Sequence, residues 1–333
     1  MAQSTAFEIG IVGAGAWGTT LASLLTSAGC HTIVWAYESD VANDINKSSR
    51  NSVYLHDVDL PPGLVATNDF ADLSDPNRLI IAVPSPFLAE TLEQLAPHVK
   101  PGAELVSATK GFVASDLKRP SQLLEDILPG HSIGVLSGPN LSREIIRGLP
   151  AISLVASKDD DLVREYQRLL STARFRVYGG KDVVGTELGG ALKNIMAIAA
   201  GLADGLELGE NALAALITRG LAEMIRLGKV FGADERTFYG VSGLGDLVCT
   251  SQSRLSRNHE VGRRLAAGES LDAVLQSSKA VPEGVGTTGH VHEFAFGRGL
   301  DLPITAAVHA VLFERAEPAN VLRELMTREL KME

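Results

Sequence analysis

The feature that most constrains this chain is a glycine-rich turn between a predicted strand and a predicted helix. Phe7–Val12 is a short apolar run with β-branched residues, which is typical of a strand. The hexapeptide GAGAWG, residues 13–18, follows at once, and Thr19–Ala28 then carries leucines on one helical face. His31–Trp35 is predicted as a second strand. A GxGxxG turn alone is a weak signal, but between a strand and a helix it predicts a dinucleotide site.

The three glycines of this turn have separate tasks in such a site. Gly13 permits the tight turn, Gly15 lets the backbone approach a pyrophosphate, and Gly18 allows the helix to pack on the strand. The phosphates would then lie at a helix N-terminus, where free N–H groups and the helix dipole favour anions. The alternative is an ordinary strand-to-helix turn that binds nothing.

The choice between NAD and NADP depends on the end of the second strand. An acidic residue there binds the ribose of NAD, whereas a nearby arginine accommodates the 2′-phosphate of NADP. Glu38 follows the strand at a slightly longer spacing than usual, and no arginine stands beside it. The pattern favours NAD but leaves both cofactors open.

Strands continue to alternate with helices as far as Tyr178. The further predicted strands are Arg78–Val83, Glu104–Ala108, Ser132–Leu136, Ala151–Ala156 and Phe175–Tyr178, with helices over Phe87–Leu95 and Asp161–Leu170. Such alternation predicts a parallel sheet with helices on both faces. We therefore expect an α/β, Rossmann-type N-terminal domain with a mainly parallel sheet over residues 1–184. Lys110 and Asn140 follow two of the strand ends, where ligands bind in sheets of this kind.

Helical periodicity dominates from Gly185 onward, which predicts an all-α C-terminal domain over residues 185–333. The predicted helices are Ala191–Ala203, Ala212–Leu227, His259–Ala267, Leu271–Gln276, Thr305–Phe313 and Pro318–Leu325. Two glycine-rich stretches, Gly240–Asp246 and Pro282–Gly286, are predicted as loops between helices.

Lys193 stands at the start of an uncharged helical run, Ile195–Ala200. A helix that is apolar on all sides is normally buried, and a lysine beside it needs a partner or a task. Gly189 and Gly190 lie one turn earlier, so we expect Lys193 to extend over a bare patch that serves as the floor of a ligand site. The helix falls at the predicted domain junction, and clefts between domains often bind ligands. The alternative, by residue type alone, is a surface lysine at a helix start.

Composition excludes several functional classes. The chain has 333 residues, 45% hydrophobic and 21% charged, with a net charge of −10, which argues against nucleic acid or an anionic membrane as partner. Its two cysteines, Cys30 and Cys249, form no CxxC motif, and the N-terminus lacks a basic region before its apolar run. We therefore expect a cytoplasmic protein without a signal peptide. We expect no membrane span, because the uncharged run is far shorter than the roughly 20 residues that a span requires. We expect no metal site, because no histidine stands at metal-ligand spacing within an acidic or cysteine cluster, and lysine and arginine already supply the positive charge that a metal would provide.

Eight sequence blocks, in order over nearly the whole chain, together resemble one family of enzymes. They are Ile11–Thr19 (IVGAGAWGT), Val83–Ser85 (VPS), Ala108–Gly111 (ATKG), Gly138–Asn140 (GPN), Leu188–Asn194 (LGGALKN), Ile217–Met224 (ITRGLAEM), Gly243–Leu247 (GLGDL) and Ser256–Asn258 (SRN). The last five are far more specific than the glycine-rich turn. In this combination the chain is similar to the bacterial-type NAD(P)-dependent glycerol-3-phosphate dehydrogenases.

The resemblance implies reversible reduction of dihydroxyacetone phosphate to sn-glycerol 3-phosphate by NADH or NADPH, a reaction that supplies phospholipid synthesis. It implies that Lys193 is the catalytic acid/base and that the substrate is bound by Lys110, Gly138, Asn140, Lys193, Asn194, Asp246, Ser256, Arg257 and Asn258. The implied cofactor positions, with the glycines of the turn, are Gly13, Gly15, Ala16, Trp17, Gly18, Tyr37, Tyr54, Lys110, Ser142, Arg257, Val281 and Glu283. The chain departs from the family at Asn140, where Ser or Thr is usual, and at Ser142, where Ala is usual.

The residue types fit these roles. Arg257 has a planar fork that can bind a phosphate with two hydrogen bonds, and a helix is predicted to begin near His259. Asp246 would hold a substrate hydroxyl or orient Lys193, or would form an Asx turn with no further role. Two other functions stay open: a different two-domain NAD(P)-dependent dehydrogenase, and a non-catalytic dinucleotide sensor. The apolar helical domain also suggests a homodimer.

Overall fold

The computed structural model describes residues 6–114, 116–277 and 282–329. Within these ranges the chain separates into two compact units. The first runs as far as Val113 and includes Arg119–Thr186, and the second comprises Ala114–Lys118 and the chain from Glu187 onward.

An eight-stranded sheet forms the centre of the first unit, and a two-stranded hairpin accompanies it. The strands are β1 (Ile9–Val12), β2 (Thr32–Trp35), β3 (Arg50–Asn51), β4 (Leu55–Asp59), β5 (Val65–Thr67), β6 (Arg78–Ile81), β7 (Glu104–Ser107), β8 (Ser132–Ser137), β9 (Ala151–Ser157) and β10 (Phe175–Gly180). The sheet order is β10-β9-β8-β7-β6-β1-β2-β5. Neighbours pair in parallel except β8 with β9, which are antiparallel. The predicted Rossmann-type fold with a mainly parallel sheet is confirmed.

The helices of the first unit are α1 (Ala16–Ser27), α2 (Ser39–Ser48), α3 (Leu88–Leu95), α4 (Pro120–Ile127), α5 (Ser142–Ile146) and α6 (Asp160–Leu170). The central strands are continuous apolar runs because both faces of the sheet are covered. Every residue of β1 and β2 is buried, and Leu21 and Leu25 of α1 pack into the same core.

The hairpin β3–β4 and helix α2 were not predicted. Strand β3 has two residues, and β4 reads LHDVD, in which three of five residues are exposed. Hydrophobic periodicity therefore gives no strand signal in this segment.

The second unit is helical, as predicted. Its helices are α7 (Val183–Gly205), α8 (Gly209–Val230), α9 (Glu235–Phe238), α10 (Asp246–Gln252), α11 (Arg257–Ala266), α12 (Leu271–Gln276), α13 (Glu283–Phe296), α14 (Pro303–Phe313) and α15 (Pro318–Met326). Helix α7 is longer at both ends than its predicted range. From Glu187 to Ile198 every residue of α7 is buried, so the uncharged run forms the core of this unit.

Helix α7 is packed tightly through glycines. A Cβ on Gly201 would lie 1.9 Å from the carbonyl oxygen of His259, and one on Gly262 would lie 2.0 Å from that of Ile198. Helices α7 and α11 therefore meet backbone to backbone.

The predicted ligand floor is wrong at Gly189. A Cβ there would lie 2.5 Å from the carbonyl oxygen of Ser242, so another segment of the chain already covers this glycine. The missing side chain at this position serves packing and leaves no space for a ligand.

Both glycine-rich stretches predicted as loops are helical. Val241–Gly245 forms one π-helical turn that leads into α10, and Glu283 begins α13. The high glycine content of Gly240–Asp246 does not indicate a loop, because Gly243 is needed for close packing. A Cβ on it would lie 2.1 Å from the carbonyl oxygen of Phe238.

Candidate active site

The glycine-rich turn of the first unit has the geometry that a dinucleotide requires. Gly13 has φ +109°, which favours glycine, and its N–H donates to the carbonyl of Trp35. A Cβ on Gly18 would lie 1.8 Å from the carbonyl oxygen of Gly13, whereas one on Gly15 would meet no atom of the described residues within 4 Å. Gly15 precedes α1, and no side chain in the described part of the chain caps that helix. Open space in front of uncapped N–H groups fits a pyrophosphate.

Ala16, Trp17 and Ser142, three predicted cofactor residues, belong to the same corner of the first unit. The hydroxyl of Thr20 donates to the carbonyl of Ala16 at 2.7 Å and to that of Ser142 at 3.5 Å. Trp17 packs edge-on against Phe175, and its indole nitrogen is buried without a hydrogen-bond partner among the described residues.

Tyr54 and Tyr37 differ sharply in their surroundings. The hydroxyl of Tyr54 donates to the Glu38 carboxylate at 2.7 Å, and burial, with Glu38 beside it, raises the pKa of Tyr54 to about 12. Tyr37 is 82% exposed and touches Trp35 edge to face.

The structure brings together Lys110 and Gly138, two of the predicted substrate residues. The Lys110 ammonium donates to the carbonyl of Gly138 at 2.8 Å. Asn140 is braced separately: its amide donates to Ile152 at 3.3 Å, and its oxygen accepts from Ser153 at 3.2 Å. Its side chain thus secures β9 beside the end of β8.

The second unit contains a buried ion pair between Lys193 and Asp246. The ammonium donates to Asp246 Oδ1 at 2.5 Å and to Thr250 Oγ1 at 2.7 Å, and the threonine hydroxyl lies 3.0 Å from the same carboxylate oxygen. The side chains of Lys193 and Asp246 are 9% and 1% exposed. Burying two charges is costly, so such a pair needs close geometry or a function.

Local helix geometry builds this pair. Asp246 and Thr250 are four residues apart on α10 and therefore lie on one face. The close approach of Gly189 to Ser242 holds α7 against the turn that leads into α10. Sequence reasoning missed Thr250, whose spacing after Asp246 on a helix would have indicated it if α10 had been predicted.

The Ser256–Asn258 block forms the start of α11. Ser256 caps the helix by accepting from the N–H of His259 at 3.3 Å, and Arg257 is exposed. The Asn258 oxygen accepts from the N–H of Gly284 at 3.0 Å, and Gly284 also packs against the carbonyl of Asn194. The block thus joins α7 and α11 to the start of α13, where Glu283 is the first residue. Val281, another predicted cofactor residue, lies outside the described residues.

The described ranges contain neither a helix suited to cross a membrane nor a cluster of metal-ligating side chains. No helix there is both long and apolar enough to cross a membrane. No group of three or more His, Cys, Asp or Glu side chains there could hold a metal ion. The expected absence of a metal stays a prediction.

Known proteins match the chain over both units. Two family models, the N-terminus and C-terminus of NAD-dependent glycerol-3-phosphate dehydrogenase, match residues 8–163 and 182–323. A glycerol-3-phosphate dehydrogenase (NAD(P)+) of Syntrophotalea carbinolica is 43% identical over 330 residues, 98% of this chain and 99% of that protein. One from Geobacter sulfurreducens is 44% identical over 330 residues, 98% of each.

A solved structure shows the same fold. The crystal structure of glycerol-3-phosphate dehydrogenase from Coxiella burnetii has a TM-score of 0.93 and 36% identity, covering 97% of this chain and 99% of that one. The predicted enzyme class and the prediction of NAD or NADP as cofactor are confirmed. The chain belongs to the NAD(P)-dependent glycerol-3-phosphate dehydrogenase family.

Proposed function

We propose that this chain catalyses the reversible reduction of dihydroxyacetone phosphate to sn-glycerol 3-phosphate and thereby supplies phospholipid synthesis. The buried Lys193–Asp246 pair with Thr250 carries the proposal. Reduction of a ketone places negative charge on its oxygen, and a positioned proton donor lowers that barrier. The names of the relatives support this substrate and reaction.

We assign residues 1–184 to a dinucleotide-binding domain, which would hold the dinucleotide at the glycine-rich turn with Gly13, Gly15, Ala16, Trp17 and Gly18. Tyr37, Tyr54, Lys110, Ser142, Arg257, Val281 and Glu283 complete the proposed cofactor set. When bound, NADH or NADPH supplies the hydride for carbonyl reduction. The open space at Gly15 supports this assignment.

Lys193 is the proposed acid/base. Its ammonium group would donate a proton to the oxygen of the reduced carbonyl, and its amine would take that proton back in the reverse reaction. Asp246 balances the charge of the ammonium form and, with Thr250, fixes the position of the nitrogen. Asp246 therefore acts by orienting Lys193, which was one of its two predicted roles.

Arg257 is the proposed phosphate ligand, and we assign residues 185–333 to a helical substrate-binding domain that contains it. It is exposed in the first turn of the ten-residue helix α11, whose N-terminus favours an anion. Ser256, Asn258 and Asn194 hold this corner together, so we assign them to the substrate site. Lys110, Gly138 and Asn140 complete the proposed substrate set, with Asn140 acting through the backbone that it braces.

A cofactor-oxidation assay with a panel of ketones tests the proposal. We expect oxidation of NADH or NADPH with dihydroxyacetone phosphate and little with dihydroxyacetone or with hydroxy-acid precursors. Turnover of a different substrate would identify another two-domain dehydrogenase, and binding without turnover would identify a sensor.

Substitution at Arg257 tests phosphate recognition. Arg257→Ala should raise KM for dihydroxyacetone phosphate by about tenfold or more, because a charge-assisted bidentate contact is lost. Arg254→Ala is the matched control, since Arg254 is also exposed and lies three residues earlier. Equal KM values for both variants would show that Arg257 does not bind the substrate phosphate.

We also propose that the protein acts as a homodimer in the cytoplasm and binds no nucleic acid. The chain's two cysteines, Cys30 and Cys249, form no CxxC motif, which supports a reducing compartment, and the net charge of −10 opposes nucleic acid. Light scattering should give twice the mass of one chain. A mass of one chain would refute the dimer.

A further inference from the structure

Glu38 is held by an adjacent tyrosine at the end of β2. The carboxylate accepts a 2.7 Å hydrogen bond from the Tyr54 hydroxyl, although Glu38 itself is exposed. Because the pKa of Tyr54 is raised to about 12, the hydroxyl keeps its proton at neutral pH and remains a donor. The carboxylate therefore has a defined position in spite of its exposure.

Asn51 anchors Tyr54 to the glycine-rich turn. Its amide nitrogen donates to the carbonyl of Ala14 and to the hydroxyl of Thr19, both at 2.8 Å. Its oxygen accepts from the N–H of Tyr54 at 3.2 Å, and Asn51 is fully buried. A continuous chain of hydrogen bonds thus fixes Glu38 relative to the phosphate-binding turn.

The charge at this corner is negative. Glu38 is the N-cap of α2, and Asp40 is the acidic residue of the first turn. Lys47 lies in the last turn of the same helix, about 12 Å further along the axis at 1.5 Å per residue. Arg50 is ion-paired with Asp59 at 2.8 Å. The anion that a helix N-terminus favours is therefore already supplied by the protein.

We propose that Tyr54 is a positioning residue that holds the Glu38 carboxylate for the ribose of the cofactor, so that this chain selects NADH over NADPH. The inference rests on the proposed binding of a dinucleotide at the glycine-rich turn. A carboxylate can accept hydrogen bonds from ribose hydroxyls, whereas the 2′-phosphate of NADPH brings further negative charge against Glu38 and Asp40. A phenol donor that fixes the carboxylate also prevents it from turning away from the phosphate.

Direct binding measurements on the full chain, without substrate, test this inference. Calorimetric titration should show NADH binding about tenfold or more tighter than NADPH. Glu38→Gln should lower that preference by at least about fivefold, since it removes the charge but keeps the shape. Tyr54→Phe should lower it by about threefold, and the double variant should match Glu38→Gln alone because Tyr54 acts through Glu38.

Tyr239→Phe is the matched control, because it also removes a hydroxyl that donates to a glutamate, Glu235, at 3.1 Å in the second unit. It should leave both affinities unchanged. Equal affinity of the unmodified chain for the two cofactors would overturn this inference and leave the proposed function intact. An equal loss of both affinities in Tyr54→Phe would also overturn it, since that marks a structural role. If neither dinucleotide binds, the proposed function fails as well.

Discussion

In the first unit, Gly15 of the nucleotide turn borders open space, whereas in the second unit Gly189, Gly201 and Gly262 lie where backbones touch. The same residue type thus leaves room for a ligand in one unit and removes room between helices in the other. The polar contacts of the two units differ in the same way. The Tyr54–Glu38 contact is part of an exposed corner, while Lys193–Asp246 is enclosed in the helical core. The nucleotide turn of the first unit and the helical core of the second should therefore respond differently to substitution.

The largest expected effect is at Gly201. Gly201→Ala places a methyl group 1.9 Å from the carbonyl oxygen of His259, and backbone cannot move aside without separating α7 from α11. We expect the free energy of unfolding to fall by about 3 kcal/mol or more. Denaturant unfolding followed by circular dichroism measures it. A loss below about 0.5 kcal/mol would show that the helices are not in close contact here.

Glu223 gives the next largest effect. It is buried on α8 and accepts from the N–H groups of Ile304 and Thr305, thereby capping α14. Burial raises the pKa of Glu223 to about 7, although the hydrogen bonds oppose this. A carboxyl group whose pKa is raised in the folded state makes its full contribution to stability at pH values below the pKa that it has in the unfolded chain. That contribution is lost as the pH rises through 7.

The pH dependence of the free energy of unfolding tests the direction of this effect. Between pH 5 and pH 8 the free energy of unfolding of the unmodified chain should fall by up to roughly 3 kcal/mol, and that of Glu223→Gln should not show this fall. Glu324→Gln, on an exposed side chain, is the control and should follow the unmodified protein. Identical pH profiles for all three proteins would contradict the account of Glu223.

Gly15→Ala should separate binding from stability. Its Cβ would meet nothing within 4 Å, so the free energy of unfolding should change by less than about 0.5 kcal/mol. The methyl group would occupy the space assigned to the pyrophosphate, and we expect the Kd for NADH to rise by about tenfold or more. An unchanged Kd would place the phosphates elsewhere.

The smallest effect is a gain in stability. Gly286 is an exposed helical residue of α13 with nothing within 4 Å of a Cβ. Gly286→Ala should therefore stabilise the protein by about 0.5–1 kcal/mol, the difference in helix propensity. A loss of stability would mean that an uncrowded glycine in this unit still has a packing role.

The helices and strands that were predicted correctly are encoded by the hydrophobic pattern of their own residues. Strands such as β1, β2 and β6 are short and largely apolar, and α14 repeats its apolar residues at helical spacing. Lys110 and Asn140 were placed after strand ends by a topological rule for parallel sheets, whereas the contact of Lys110 with Gly138 was not predicted.

The contacts that the sequence did not predict join residues that are far apart in the chain. Thr250 is 57 positions from Lys193, and Asn51 is 37 positions from Ala14. The contact between Gly189 and Ser242 converts a predicted ligand floor into a helix contact. No local periodicity encodes such pairings, so glycine-rich segments in particular were misinterpreted as loops or open surfaces.

The turnover number of Lys193→Met tests the central claim, that the buried lysine is the acid/base. Lys229→Met is the matched control, because Lys229 is also paired with a carboxylate, Glu235, at 2.7 Å but is 61% exposed. With dihydroxyacetone phosphate and NADH, kcat of Lys193→Met should fall by at least about 100-fold while Lys229→Met keeps the normal rate. A folded Lys193→Met enzyme with kcat within about twofold of the unmodified protein would contradict the account.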